Sequence, residues 1–263
     1  MKITLRHFAK LLDIYYWQTA ILIAKNGLGR QYRNSFLGML WTLLQPVAMI
    51  TVYSLMMPKI TNFKIPDYPL YVVVSLPLWT YFSGTFVYTS VSITYNAETL
   101  KRCMVSSTLF PVADVLRLTY MYFVSFLTMY ILAVLLFAPF HPTILLMPLY
   151  FLPVLMIMGS AGIALAFLSP YLRDITEMVT LSMNMLYWLT PVIYPFSALP
   201  PTAQAWMKWN PFFIMMHPIQ MLAYEGVLPG IDDMLRLLGL TVIAISVGFA
   251  IFKACRRNYV YYL

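Results

Sequence analysis

The stretch LTYMYFVSFLTMYILAVLLFAPFHPTILLMPLYFLPVLMIMGSAGIALAFLSPYL, residues Leu118–Leu172, contains no Asp, Glu, Lys or Arg. A membrane-spanning helix needs about 20 mainly apolar residues, so this run is too long for one helix. Its middle reads FAPFHPT (Phe137–Thr143), and proline interrupts a helix because it lacks a backbone N–H. The run therefore predicts two membrane-spanning helices joined by a tight hairpin.

The composition of the whole chain points to the same class of protein. Of its 263 residues, 61% are hydrophobic and only 10% are charged, and the mean hydropathy is +0.76. A soluble domain carries about 25% charged residues, so this chain has too few to cover a globular surface. We therefore expect an all-α integral membrane protein, because helices satisfy their own backbone hydrogen bonds in lipid.

The uncharged runs along the chain predict six spans within a single transmembrane domain, residues 1–263. The predicted spans cover about residues 36–58, 70–95, 112–137, 144–169, 175–195 and 234–254. Residues 196–230 contain apolar pieces too short and proline-rich to cross, which predicts re-entrant helices on the outer side. A seventh, broken span is the alternative. Residues 3–30 mix basic and apolar side chains, as in an amphipathic helix lying in the membrane interface.

Lysine and arginine are unevenly divided between the two sides of this arrangement. Thirteen lie on the side of the two termini and four on the opposite side. Because basic residues concentrate on the cytoplasmic side of membrane proteins, both termini are predicted in the cytoplasm. This bias accounts for the net charge of +8, and we expect no binding to nucleic acid.

The motifs of common catalytic and metal sites are absent from the sequence. It contains no GxxxxGK[ST] phosphate loop, no GxSxG, no HExxH and no CxxC, and its three histidines lack ligand spacing. We therefore expect no catalytic site and no metal site in this chain. A membrane-embedded glycosyl- or acyltransferase is the alternative, and it would need clustered acidic or histidine residues.

Three short motifs carry a resemblance to a known family. They are YRNSFLGMLWTLLQP (Tyr32–Pro46), SPYLRDI (Ser169–Ile175) and WNP (Trp209–Pro211). In their order and spacing they resemble the permease subunits of bacterial type-2 ABC exporters for polysaccharides, which export O-antigen, capsule or teichoic acid. The similarity covers the whole chain, including its length, the order of six spans and the N-terminal interface helix.

The resemblance implies a function and a set of partners. The chain would be a transport subunit, not an enzyme, and would move a lipid-linked, O-antigen-like polysaccharide across the bacterial inner membrane during lipopolysaccharide biosynthesis. It would form a homodimer in contact with membrane lipid and bind two copies of a cytoplasmic ABC ATPase. ATP and Mg²⁺ would bind to that ATPase, with no cofactor in this chain. A related permease for a small drug or lipid is the alternative.

Aromatic and polar side chains at helical spacing are candidates for the translocation path. Tyrosine and tryptophan offer a sugar a flat apolar face and a hydrogen-bonding tip. A polar stripe is costly against lipid, although helix packing through hydroxyls is the alternative explanation. The candidates are Trp41, Tyr81, Tyr88, Tyr95, Asn184, Tyr187, Trp188 and Tyr194. By contrast, Trp79, Trp206 and Trp209 lie near predicted span ends, so we expect them in the interfacial belt.

Two cytoplasmic segments are candidates for ATPase coupling and for gating. The family's coupling helix corresponds to Asn96–Pro111, where the polar candidates are Glu98, Lys101 and Arg102 and the candidates for burial are Met104 and Leu109. An ordinary charged loop is the alternative. The gate candidates are Arg30, Arg33, Arg173, Asp174 and Glu177. The two acids also suit the first turn of a helix, where the helix dipole favours negative charge.

Overall fold

The computed structural model describes residues 14–32, 37–60, 67–103, 105–136, 138–257 and 259–262. Within these ranges the chain is helical with short connections, and no strand occurs. The predicted all-α class is therefore confirmed. Arg33, Met104 and residues 3–13 of the predicted interface helix lie outside the described residues.

The helices of the described part follow one another with few long connections. The α-helices are α1 (Ile14–Tyr32), α2 (Trp41–Ile60), α3 (Tyr68–Ser90), α4 (Ser92–Tyr95), α5 (Ala97–Arg102), α6 (Leu109–Leu136), α7 (Met147–Leu168), α8 (Ile175–Leu189), α9 (Pro201–Met207), α10 (Pro211–Gln220) and α11 (Ile231–Cys255). Short 3-10 turns occur at Gly38–Leu40, Pro142–Leu146, Phe196–Ala198 and Tyr259–Tyr262, and a π turn at Met221–Glu225.

Several of these helices are suited to cross a membrane. Four helical stretches are long and apolar enough, namely Tyr68–Tyr95, Leu109–Leu136, Pro142–Leu168 and Ile231–Cys255, and Trp41–Met57 is a shorter apolar helix. A 28-residue helix extends about 42 Å, which exceeds the hydrocarbon thickness of about 30 Å. The chain is therefore a multi-pass membrane protein. The hairpin predicted from FAPFHPT joins the second and third of these stretches.

Helix α8 is shorter than the span predicted over residues 175–195. It contains 15 residues and ends at Leu189, because Thr190 precedes Pro191 and adopts an extended conformation (φ −111°, ψ 140°). A helix of this length extends only about 22 Å. The next residues, Thr190–Pro195, are non-helical, and their carbonyls need partners from elsewhere in the chain.

Helix α3 lies at the centre of the bundle and α11 at its edge. In the most apolar part of each, 72% of the α3 span is buried and only 17% of α11. Helix α11 packs on α7, where Ser160 Oγ donates a hydrogen bond to the carbonyl oxygen of Ala244 at 2.9 Å. A Cβ atom on Gly248 would lie 2.9 Å from the carbonyl oxygen of Ser160. Small residues therefore bring the two helix backbones close together at this point.

Helix α1 lies against the start of α6 with one face buried and the other exposed. Tyr16 and Ala20 are buried with Leu109, whereas Tyr15 and Leu22 are 72% and 58% exposed. This division between faces is the amphipathic pattern predicted from the sequence.

Candidate functional site

A cavity of about 750 Å³ opens between α2, α3, α6 and α8. Six of the eight residues predicted to line a translocation path lie on its wall. The lining residues are Trp41, Thr42, Gln45, Pro46, Met49 and Tyr53 from α2, Leu76, Pro77, Trp79, Thr80, Tyr81, Ser83, Gly84 and Tyr88 from α3, Leu118, Met121, Tyr122 and Ser125 from α6, and Asn184, Tyr187 and Trp188 from α8.

Helix α2 contributes one continuous wall of the cavity. Trp41, Gln45, Met49 and Tyr53 are spaced by four residues, so they lie along one face of the helix over about 18 Å. Of these four, sequence reasoning found only Trp41. The repeated spacing of four after Trp41 is the signal that could have found the other three.

Helix α8 contributes the opposite wall. Asn184 and Trp188 are one helical turn apart, and Trp188 is 62% exposed. Tyr187 Oη donates a hydrogen bond to Tyr53 Oη at 2.9 Å, which joins the two walls. The side-chain amides of Asn184 and Gln45 make no hydrogen bond with any group in the described part of the chain.

The three tyrosines predicted as a stripe along α3 have different surroundings. Tyr81 is only 3% exposed, and its ring centroid lies 5.4 Å from that of Tyr122. Its hydroxyl oxygen accepts a hydrogen bond from Thr119 Oγ1 at 3.1 Å. Tyr88 is 44% exposed and lines the cavity. Tyr95 lies beyond the helix break at Val91, is 82% exposed, and does not line this main cavity. Along the predicted stripe, Tyr81 is therefore packed in the protein, Tyr88 lies exposed on the cavity wall, and Tyr95 lies at the end of α4.

Trp79 and Tyr194 have positions that the sequence did not predict. Trp79 is 5% exposed and packs against Tyr187 and Phe212, with ring centroids 5.8 and 5.4 Å away. The prediction of an interfacial position for Trp79 is therefore wrong, because the residue lies more than two turns inside α3. Tyr194 is not part of the cavity lining, and its hydroxyl donates to the carbonyl oxygen of Trp188 at 2.9 Å.

A second, smaller cavity of about 370 Å³ lies between α1, α3, α4 and α6. Arg30, Tyr88 and Tyr95 line it together with Arg117. Arg117 is 8% exposed, forms an ion pair with Asp114 at 3.4 Å, and its guanidinium carbon lies 4.8 Å from the ring centroid of Tyr88. Tyr88 therefore forms part of the wall between the two cavities.

The candidate coupling residues divide into an exposed and a buried group. Glu98 and Arg102 form an exposed i,i+4 ion pair at 3.5 Å on α5, and Lys101 is exposed beside them. Leu109 is 5% exposed and buried against Tyr16 of α1. Leu109 is buried, as predicted, and because it packs within this chain it supports the segment and is not available to a docked partner.

Three further gate candidates lie at the start of α8. Arg173, Asp174 and Glu177 are all exposed; Asp174 is the N-cap residue of α8, and Glu177 lies in its first turn. The backbone carbonyl of Asp174 accepts a hydrogen bond from the N–H of Met178 at 3.0 Å. The two acids therefore lie where the helix dipole favours them.

A buried polar cluster lies at the start of α3, which the sequence predicts to be on the outer side, and we call it the outer knot. It consists of the side chains of Tyr68, Tyr71, Ser75 and Gln220 with the carbonyl groups of Pro191, Ile193 and Tyr194. Gln220 Nε2 donates to Ser75 Oγ at 2.7 Å and to the carbonyl oxygen of Pro191 at 3.2 Å.

The tyrosines of the outer knot bind the non-helical chain that follows α8. Tyr71 Oη lies 2.6 Å from the carbonyl oxygen of Pro191, and Tyr68 Oη donates to that of Ile193 at 2.8 Å. The knot therefore supplies partners to carbonyls that no helix satisfies, as buried irregular backbone requires. Sequence reasoning missed these residues, although Tyr68, Tyr71 and Ser75 share one face of α3.

Comparison with known proteins assigns the chain to a family. The model of the family described as "ABC-2 type transporter" matches residues 18–224, which is well over half of the chain. The chain belongs to the ABC-2 type transporter family. As an ABC-2 protein, it is a transport subunit of the inner membrane that associates with an ABC ATPase, and the predicted family is confirmed.

Relatives of this ABC-2 chain match it along nearly its full length. A protein of Myxococcus xanthus named "O-antigen export system permease protein RfbA" is 24% identical over 252 residues, which cover 94% of this chain and 96% of the relative. A protein of Klebsiella pneumoniae with the same name is 23% identical over 251 residues, covering 93% and 95%.

Proposed function

We propose that this ABC-2 chain is the transmembrane subunit of an exporter that moves a lipid-linked, O-antigen-like polysaccharide across the inner membrane. The observation that carries the proposal is the cavity of about 750 Å³, with exposed Trp41 and Trp188 rings and with Gln45 and Asn184 amides that bond no group among the described residues. The two relatives named as O-antigen export permeases support the same substrate class.

The chemistry of the cavity wall suits a sugar chain. The C–H face of a sugar ring packs on an aromatic ring, and its hydroxyl groups bond to amides and phenols. Exposed rings of Trp41, Tyr88 and Trp188 provide the first kind of contact. Gln45 and Asn184 provide the second, because each amide both donates and accepts.

The proposed topology has six spans, α2, α3, α6, α7, α8 and α11, with both termini in the cytoplasm. The bias of Lys and Arg supports this orientation. The short helix α8 crosses with the non-helical residues 190–195, whose carbonyls are bound by the outer knot. Helices α9 and α10 form the outer re-entrant region, and α1 lies in the cytoplasmic interface.

A homodimer is the proposed assembly. The cavity is bounded by α2 and α8, and α8 also exposes apolar residues, Met178, Leu181, Met185 and Leu189. Asn184 lies on this same short helix, and a polar amide is costly against lipid. A second copy packed on α8 would keep the amide away from lipid and make a shared path between the two chains.

Two ATPase subunits would dock on the two copies of α5, through the exposed Glu98, Lys101 and Arg102. The gate would lie at the cytoplasmic end of the path, near Arg30 and the turn Arg173–Glu177. Arg30 supports this assignment because it lines the second cavity together with Tyr88.

Reconstitution tests the proposed function. In proteoliposomes, this chain with its partner ATPase should move a lipid-linked glycan only when ATP is present. The purified chain alone should hydrolyse no ATP. ATP hydrolysis by the chain alone, or complexes that hydrolyse ATP without moving the glycan, would contradict the proposal.

A further inference from the structure

The C-terminal end of the described chain packs on the segment that follows α5. Tyr259 Oη donates a hydrogen bond to Ser107 Oγ at 3.0 Å, across more than half of the sequence. Tyr171, in the turn after α7, donates through its hydroxyl to the carbonyl oxygen of Cys255 at 2.8 Å. We call these four residues the cytoplasmic clamp. It joins three parts of the chain that are distant in sequence.

An apolar cluster lies beneath the clamp. Phe167 is 1% exposed, and its ring centroid lies 5.2 Å from that of Tyr259 and 4.9 Å from that of Phe252. Leu100 of α5 packs on the same cluster. Helices α5, α7 and α11 therefore share one small core at this end of the bundle.

The segment held by the clamp is also held from its other side. Tyr16 of α1 donates a hydrogen bond to Thr108 Oγ1 at 3.0 Å, and Ser106 Oγ lies 2.9 Å from the same atom. Ser106, Ser107 and Thr108 are consecutive residues, and each of their hydroxyls has a hydrogen-bond partner. The segment between α5 and α6 is therefore fixed to α1 on one side and to the C-terminal turn on the other.

The covalent chain alone would transmit a movement of α5 only to α4 and α6. Helices α7 and α11 are distant from α5 in sequence. They pack on each other through Ser160 and Gly248. The clamp and its apolar cluster provide a direct connection from α5 to this helix pair. A displacement of α5 would then also displace α7 and α11, together with α6.

We propose that Tyr259 is a positioning residue that makes the segment after α5 and the turn after α7 move as one body. In this way ATP-driven movement of α5 would reach the α7–α11 pair. This inference rests on the proposed function, in which α5 is the helix that docks on the ATPase. The Tyr259→Phe variant removes only the hydroxyl and keeps the ring on Phe167.

A distance measurement tests the clamp without any glycan. Spin labels would be placed on Cys103, which is exposed, and on Leu172→Cys, where leucine is 49% exposed, in a Cys255→Ala background. In the complex with the ATPase, pulsed electron paramagnetic resonance should give one unchanged distance with and without ATP. With Tyr259→Phe, ATP should shift or broaden that distance. An unchanged, narrow distance in the variant would overturn the inference.

Transport per ATP gives a second, independent readout. Tyr259→Phe and Ser107→Ala should each lower the glycan exported per ATP hydrolysed by about threefold, the effect of one lost hydrogen bond. The double variant should fall no further, because both changes break the same bond. Tyr120→Phe is the matched control, since Tyr120 is 53% exposed on α6 and outside the clamp, and its ratio should be unchanged.

The outcomes distinguish a failure of the clamp inference from a failure of the proposed function. If Tyr259→Phe lowers export and ATP hydrolysis in the same proportion, the bond has only a structural role and the inference is overturned. If the parent complex hydrolyses ATP but exports no glycan, the proposed function fails, and the distance measurement still decides the clamp.

Discussion

The outer knot and the main cavity use the same kinds of side chain in opposite ways. In the knot, Gln220 and Tyr71 are buried and bonded to protein groups at 2.6–3.2 Å. In the cavity, Gln45 and Asn184 are exposed and bond no group of the described residues. The amide that holds the fold has its partners within the protein, whereas the two amides on the cavity wall keep their bonding capacity for another molecule.

The largest effect is expected from Gln220→Leu in the outer knot. Removing the amide leaves the buried Ser75 hydroxyl and the Pro191 carbonyl without this partner, which costs about 1–3 kcal/mol of stability. Thermal unfolding of the purified chain in detergent should show a lower Tm and a lower yield of folded protein. A Tm equal to that of the parent would mean that the knot does not hold the fold.

The second prediction concerns the aromatic walls of the cavity. The double variant Trp41→Ala with Trp188→Ala removes two exposed rings, each of which offers a sugar about 0.5–1.5 kcal/mol of stacking. We expect export to fall about tenfold while the Tm stays within a degree or two of the parent. The control is Trp206→Ala, which removes a ring that is 80% exposed outside the cavity. If the double variant and the Trp206→Ala control lose export equally, the cavity rings have no specific role in transport.

The third prediction is the direct counterpart of the first. Gln45→Leu makes the same chemical change as Gln220→Leu, but at the cavity wall. Export should fall about threefold, because one hydrogen bond to the moving glycan is lost. Thermal unfolding should be unaffected, since the Gln45 amide bonds nothing in the described chain. A Tm loss as large as that of Gln220→Leu would remove the distinction between the two regions.

The smallest effects are expected at Tyr88, which belongs to the cavity wall and also packs on Arg117. Tyr88→Ala should slow export while leaving homodimer assembly intact, and it should cost some stability through the lost cation–π contact, worth about 0.5–2 kcal/mol. Tyr88→Phe keeps that contact, so only a change below about twofold in export is expected. Normal export by Tyr88→Ala would identify the residue as packing alone.

The helices could be predicted from the sequence where the signal is local. The uncharged length of Leu118–Leu172 and its proline-rich middle depend only on neighbouring residues, and the hairpin of α6 and α7 follows from them. The end of α8 also has a local cause, the residue pair Thr190–Pro191. That pair is a local signal for a helix end, although the predicted span extends to residue 195.

The contacts between distant residues could not be predicted in this way. Tryptophan is a residue type typical of the membrane interface, yet Trp79 is buried by Tyr187 and Phe212 from later helices. Gln220 meets Ser75 across 145 residues of chain. The polar residues on one face of α3 can be recognised in the sequence, and they need hydrogen-bond partners. Which partners they have depends on how the helices of the bundle pack together.

The 15 residues of α8 have a consequence for the proposed path itself. A helix of about 22 Å is shorter than the hydrocarbon layer of about 30 Å, so in the proposed topology the non-helical residues 190–195 complete the crossing. Non-helical backbone at this depth is tolerated only where protein buries it or where it lines a water-filled cavity. A polymer passing along α8 would therefore meet a helical wall over the first part of its path and an irregular wall, held by the outer knot, over the last part.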